Sequence, residues 1–118
     1  MTAVLVVDDE AGMRETLTDI LEDAGYRVSV AADGDTALAR MRAEDFDVVL
    51  MDIRMPGRDG VSVLHEMGGP PPKVIMMTAY AVEDQLRQAV RDAYAVVHKP
   101  FQIDRLLDLM GAAAGGPR

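Results

Sequence analysis

Asp8, Asp9 and Asp52, together with Thr78 and Lys99, are the residues of this chain whose types and positions could do chemistry as a group. The two adjacent acids lie in VLVVDDE (residues 4–10), and Asp52 in MDIRMPGRDG (residues 51–60). Thr78 lies in MTAY (residues 77–80) and Lys99 in HKPF (residues 98–101). Each comes after a short apolar run. Two unit charges 4 Å apart repel by ~4 kcal/mol at an effective dielectric of ~20. Three carboxylates meeting in one crevice therefore require that one stays protonated or that a cation sits among them. A hard divalent ion with oxygen ligands meets that need. Mg2+ suits it best, because it binds through one or two carboxylates, keeps its waters and serves phosphate chemistry. Lys99 adds a positive point charge opposite the acids, and Thr78 adds a hydroxyl donor. Metal, ammonium and hydroxyl around a carboxylate make a site for a phosphoryl group, with the carboxylate as nucleophile. Asp8 and Asp9 suit ligation from one loop. Asp52, alone at the end of a central strand, is the expected nucleophile.

Taken singly, each residue has a plainer role. Asp8 or Asp9 could cap the next helix, with Glu10 favoured by the helix dipole. Thr78 could belong to a turn, and Lys99-Pro100 to a surface loop. Their joint occurrence beyond successive strands argues against coincidence, since ligands of open α/β sheets bind outside the carboxyl ends of the strands. His65 is expected to be a solvated helix residue, and His98 a neighbour of the site with no assigned role. Met51, Met76 and Met77 are expected to fill the core.

The elements that must position these residues can be read from periodicity. Apolar runs at Val4–Val7, Val48–Met51, Val74–Met77 and Val96–Val97 have strand length, and the first three are solidly apolar, as central strands covered on both faces should be. Tyr26–Val30 alternates and predicts an edge strand. Between the runs lie helical patterns. The first carries Met13, Leu17, Ile20, Leu21 and Ala24, with Gly25 as its stop. The second carries Leu38 and Met41, capped by Asp33 or Asp35. The third carries Val61, Leu64 and Met67, and the fourth Val82, Leu86, Ala89, Val90 and Ala93. The fifth carries Ile103, Leu106, Leu107 and Met110. Five strands alternating with five helices predict a doubly wound α/β fold around a parallel sheet.

Whole-chain properties narrow the class. The 118 residues suit one domain, expected over residues 1–112, with 113–118 as a tail or the start of a linker. Aspartate and glutamate number 20 against 12 lysines and arginines, for a net charge of -8. That argues against direct nucleic-acid binding, which needs clustered cations. The chain has no cysteine, so neither a disulfide framework nor a cysteine-based metal site is available. No apolar run reaches the ~20 residues of a membrane helix, and a cytoplasmic location is the default expectation.

VLVVDDE, the block around Asp52, MTAY and HKPF fall in order at the ends of the expected strands. In these motifs the chain resembles the receiver domain of bacterial two-component response regulators over essentially its whole length. The resemblance implies a flavodoxin-like (βα)5 fold with strand order 2-1-3-4-5. It implies that Asp52 accepts a phosphoryl group from a histidine kinase or phosphotransfer protein. Asp9, Asp52 and the backbone carbonyl of Arg54 would ligate Mg2+ directly, with Asp8 acting through water and Mn2+ able to substitute. Lys99 and Thr78 would contact the phosphoryl oxygens, and Lys99-Pro100 would be a cis peptide bond. By the same resemblance, Arg54 and Tyr80 occupy positions that tune phosphoryl lifetime. Output would pass to a further domain or a partner protein, with dimerisation on the face of the fourth helix, fifth strand and fifth helix. The chain departs from the pattern at Val96, where the family's switch uses an aromatic, and at Asp92, where a glycine is usual; the nearest aromatic is Tyr94. Two rival readings remain: a haloacid-dehalogenase-type phosphatase, and a receiver that binds partners without phosphorylation.

Overall fold

Runs of β-branched and aliphatic residues form the strands of this protein, and its computed structural model describes residues 1–67, 72–79 and 91–115. The strands are β1 (Ala3–Val7), β2 (Arg27–Ala31), β3 (Val48–Asp52), β4 (Lys73–Thr78) and β5 (Ala95–His98). The helices among the described residues are α1 (Ala11–Asp23), α2 (Gly34–Ala43), α3 (Gly60–Met67) and α4 (Ile103–Ala113). All strand pairs are parallel, in the order β2-β1-β3-β4-β5. This is the flavodoxin-like sheet expected from the sequence, with β2 at its edge. The edge strand pairs over Arg27–Ala31, one residue later than the alternation predicts. The fourth expected helix falls largely on residues 80–90, outside the described residues. Its predicted last turn does not continue through Ala93, because residues 91–94 form turns.

Alternate strand residues feed two cores, one on each face of the sheet. Leu5, Val7, Val49, Met51 and Met76 pack with Ala37 and Leu38 of α2 and Val63 and Leu64 of α3. Val4, Val6, Leu50, Ile75 and Met77 pack with Leu17 and Leu21 of α1 and Leu106 and Met110 of α4. The central strands are buried on both faces, which explains why their sequences run apolar without alternation. Met51, Met76 and Met77 are fully buried, as core filler should be. Truncating a side chain such as Leu50 to alanine would cost roughly 2–5 kcal/mol, transfer loss and cavity together. Of the apolar positions expected on the last helix, Ile103 points to solvent, while the helix continues through a buried Ala113.

Helix ends fix the loops that matter. Gly25, at φ 96°, ends α1 in the left-handed conformation. Its N–H reaches the Glu22 carbonyl while Tyr26 N–H reaches that of Leu21, so the paired bonds close the helix and turn the chain into β2. Asp33, rather than Asp35, caps α2 by accepting the Thr36 N–H at 2.7 Å. The capping role considered for Asp8 or Asp9 is not found. Glu10 is the residue at the N-terminus of α1, and its side chain makes no capping bond. Asp8 instead accepts the N–H of Glu10, two residues on, at 2.9 Å, which tightens the loop between β1 and α1.

Candidate functional site

Strand register brings the chemical residues to one edge. Val7 is level with Met51, Met51 with Met76, and Thr78 with His98, so the residues just beyond β1 and the ends of β3, β4 and β5 share a crevice. Asp52 is itself the last residue of β3, and Thr78 the last of β4. Backbone bonds lock the junctions. Ile53 N–H donates to the Met77 carbonyl at 2.8 Å, and Lys99 N–H to the Thr78 carbonyl at 2.7 Å. Asp8 N–H donates to the Ala31 carbonyl at 3.2 Å.

The carboxylates of Asp8, Asp9 and Asp52 place one oxygen each within 4.8 Å of one another. Asp8 is fully buried and Asp52 nearly so, while Asp9 is exposed. Lys99 faces these acids, with its Nζ 2.9 Å from Asp8 Oδ2 and 2.9 Å from Asp52 Oδ2. Burial by itself lowers the proton affinity of this ammonium. The hydrogen bonds and charges of Asp52 and Asp8 outweigh that, and hold Lys99 above the ordinary lysine value. The cation demanded by the acids is thus supplied in part by the chain itself. Three carboxylates outnumber the one ammonium the chain supplies, and hard oxygen donors lie on an open side marked by Asp9. That donor set fits a divalent ion such as Mg2+.

Asp52 is further held through Oδ1, which accepts the Arg54 N–H at 3.0 Å. The Arg54 side chain is exposed at the rim, and Thr78 is fully buried. The Lys99–Pro100 peptide bond is cis. Tyr80 lies outside the described residues. Val96 packs against the core shared with Met76, filling with an aliphatic group the inward position of β5. Tyr94 does not replace the missing aromatic. It precedes β5 at the opposite edge of the sheet, 42% exposed, with the Lys73 ammonium 5.1 Å from its ring centroid. His98 and His65 are exposed, on β5 and α3 respectively.

Two contributors carry no signal in the sequence. Arg14 Nη1 donates to the Asp8 carbonyl at 2.7 Å, so α1 pins the loop that carries both acids. Gly60 packs so closely behind the site that a Cβ there would run into the Asp52 carbonyl oxygen, so any other residue would force the backbone to shift. An arginine in a helix and a glycine after an aspartate are ordinary until the fold sets what faces them.

The comparisons agree with this fold. The sequence matches the response regulator receiver domain family over residues 4–110. It is 39% identical, across 92% of its length, to a response regulator receiver protein of Anaeromyxobacter sp. (strain Fw109-5), and spans 47% of that protein. It is 37% identical, across 89% of its length, to sporulation initiation phosphotransferase F of Bacillus subtilis (strain 168), and spans 87% of that protein. Among solved structures, response regulator protein TrrA from Thermotoga maritima, in complex with Mg(2+)-BeF, superposes with a TM-score of 0.86. It is 33% identical, with 96% of this chain and 99% of that one covered. No described helix is long and apolar enough to cross a membrane. The family match runs from residue 4 to residue 110, through all five strands of the sheet, so the chain belongs to the response regulator receiver domain family.

Proposed function

We propose that Asp52 is the phosphoacceptor of this receiver and that Asp9, Asp52 and the Arg54 carbonyl hold Mg2+ directly, with Asp8 acting through water. The observation that carries this reading is Lys99 Nζ lying 2.9 Å from both Asp8 and Asp52 in a crevice where a third carboxylate stays open to solvent. In the transfer, an Asp52 carboxylate oxygen attacks the phosphorus of a phosphohistidine, and the P–N bond breaks toward the imidazole. The Lys99 ammonium, freed from one carboxylate partner, faces the negative oxygens of the transferred group. Thr78 donates its hydroxyl to one of them. Mg2+ held by Asp9, Asp52 and the Arg54 carbonyl would add charge neutralisation there. Water later attacks the acyl phosphate and returns the carboxylate, with Arg54 and Tyr80 setting the lifetime by shielding. The domain thus catalyses only its own phosphorylation and dephosphorylation, and Mn2+ replaces Mg2+ in the same oxygen site.

Receiver domains act with histidine kinases or phosphotransfer proteins and often sit with output domains. For this chain, we place the work in the cytoplasm, with output through a further domain or a separate protein rather than direct nucleic-acid binding. Docking or dimerisation uses the face of the fourth expected helix, β5 and α4. With Val96 in place of an aromatic, the switch rests on Thr78 alone. Incubation with Mg2+ and acetyl phosphate should give one base-labile phosphoryl adduct by mass spectrometry, absent in Asp52→Ala. No adduct, or one that persists in Asp52→Ala, overturns the reading. Rapid multiple-turnover release of phosphate would favour the phosphatase.

A further inference from the structure

Arg58 touches none of the acids of the site, yet from the loop that leaves it Arg58 ties together two helices. Its Nε lies 2.8 Å from Asp35 Oδ1 in the first turn of α2, and its Nη1 lies 2.9 Å from Glu66 Oε1 on α3. Nη1 also reaches Ser62 Oγ at 3.5 Å. Both carboxylates hold the guanidinium above its ordinary proton affinity through these hydrogen bonds. The backbone reports the same junction independently. A Cβ on Gly34 would fall 2.9 Å from the Arg58 carbonyl oxygen and 2.8 Å from Val63 Cγ2, so the start of α2 rests directly on the loop.

The loop between β3 and α3 is therefore held at two points. Its first residues belong to the site, where Ile53 N–H reaches the Met77 carbonyl and Arg54 N–H reaches Asp52. Its last residues are held by Arg58, by Asp59 accepting the Ser62 N–H, and by Gly60 N–H donating to the Ile53 carbonyl. An isolated exposed ion pair adds little to stability. A planar guanidinium bonded at once to carboxylates from two helices also links those helices, and here the close packing of Gly34 on the Arg58 backbone reinforces the link. Without Arg58, Asp35 and Glu66 would face the loop as two negative charges with no cation between them.

We propose that Arg58 is a positioning residue that clamps the β3–α3 loop between α2 and α3, and thereby sets Mg2+ affinity and phosphoryl lifetime at Asp52. The inference rests on the Mg2+-dependent phosphorylation proposed above. It acts through the loop, because Arg58 reaches neither the acids nor a group bound to them.

The test compares wild type with Arg58→Ala, Arg58→Lys, Asp35→Asn and, as a control, Arg40→Ala, which removes the Arg40–Glu44 pair (3.2 Å) elsewhere on α2. Mg2+ affinity is read by calorimetric titration, adduct lifetime by mass spectrometry, and folding by thermal melts. Arg58→Ala should weaken Mg2+ binding by roughly 3- to 10-fold and change the lifetime by a similar factor, the range of coupling expected through a packed network. Arg58→Lys should recover part of this, since an ammonium cannot bridge both carboxylates with a fork, and Asp35→Asn should reproduce part of the loss. Arg40→Ala should match wild type in both readouts, whatever it does to the melt. Wild-type affinity and lifetime in Arg58→Ala and Asp35→Asn would overturn the proposal, as would an equal loss in Arg40→Ala. If wild type itself binds no Mg2+ and forms no Asp52 adduct, the underlying reading fails, and the clamp with it.

Discussion

The two ends of β3 carry an aspartate each, and the two edges of the sheet carry the chain's only lysines, but the pairs do opposite things. At the amino edge Asp47 is exposed, and its Oδ2 accepts the Ala3 N–H at 2.8 Å. Its own N–H reaches the Ala3 carbonyl at 2.8 Å, so Asp47 simply ties the start of β1 to β3. Lys73 at that edge lies over the Tyr94 ring, a contact of charge with an aromatic face. At the carboxyl edge Asp52 is nearly buried, and Lys99 sits between it and a fully buried Asp8. The same residue types meet water and backbone donors at the amino edge, whereas at the carboxyl edge burial adds a charged partner to the backbone donors that Asp8 and Asp52 already have. Parallel strands explain the asymmetry. Every strand points its carboxyl end to the same edge, so only that edge gathers the residues lying just past all five.

The largest effect is expected at Lys99. Lys99→Ala would leave Asp8 and Asp52 facing each other without their cation. It should destabilise the metal-free protein by about 3 kcal/mol in urea titrations, the cost of removing one partner from a buried ion pair. Mg2+ should recover part of that loss by binding only the folded state. The pH dependence has a definite sign. Because the folded-state value of Lys99 is raised, its contribution is fully present below the ordinary value of 10.5 and is lost as pH rises through the higher folded value. In metal-free buffer, wild type and Lys99→Ala should therefore differ by a constant amount from neutrality to about pH 10.5 and converge above it. A difference that grows with rising alkalinity would contradict the charge assignment.

Asp47→Ala sharpens the other half of the contrast. It should cost about 1 kcal/mol, one hydrogen bond to a strand terminus, and leave Mg2+ affinity and adduct formation unchanged. A loss of phosphorylation in this variant would show that the two edges are coupled after all. The smallest effect is expected at Asp33, an acid whose only described task is to cap α2. Its carboxyl is held below the usual value by the Thr36 N–H. Its contribution is therefore present above pH 3.8 and lost as pH falls through the lower folded value. Asp33→Ala should lower the melting midpoint slightly at neutral pH, with the two proteins converging in acid.

The strands, the sheet order carried by the motifs, and the residues Asp8, Asp9, Asp52, Thr78 and Lys99 were all legible in the sequence. The reason is physical. Buried parallel strands must be continuously apolar, and in a doubly wound fold the residues just past such runs lie at the ligand-binding edge, whereas the sheet order came only from the resemblance of the motifs to receiver domains. Which group each charge faces was settled by tertiary packing alone. It brought Lys99 Nζ within 2.9 Å of both Asp8 and Asp52, turned Asp8 from a possible helix cap into a buried partner, and sent Tyr94 to the far edge. It also brought Arg14 to the Asp8 carbonyl, Gly60 against the Asp52 backbone, and Arg58 between Asp35 and Glu66. These contacts join residues from 6 to 91 positions apart. Nothing local encodes them, because the partner's distance and the water left between are set by packing the two cores against the sheet.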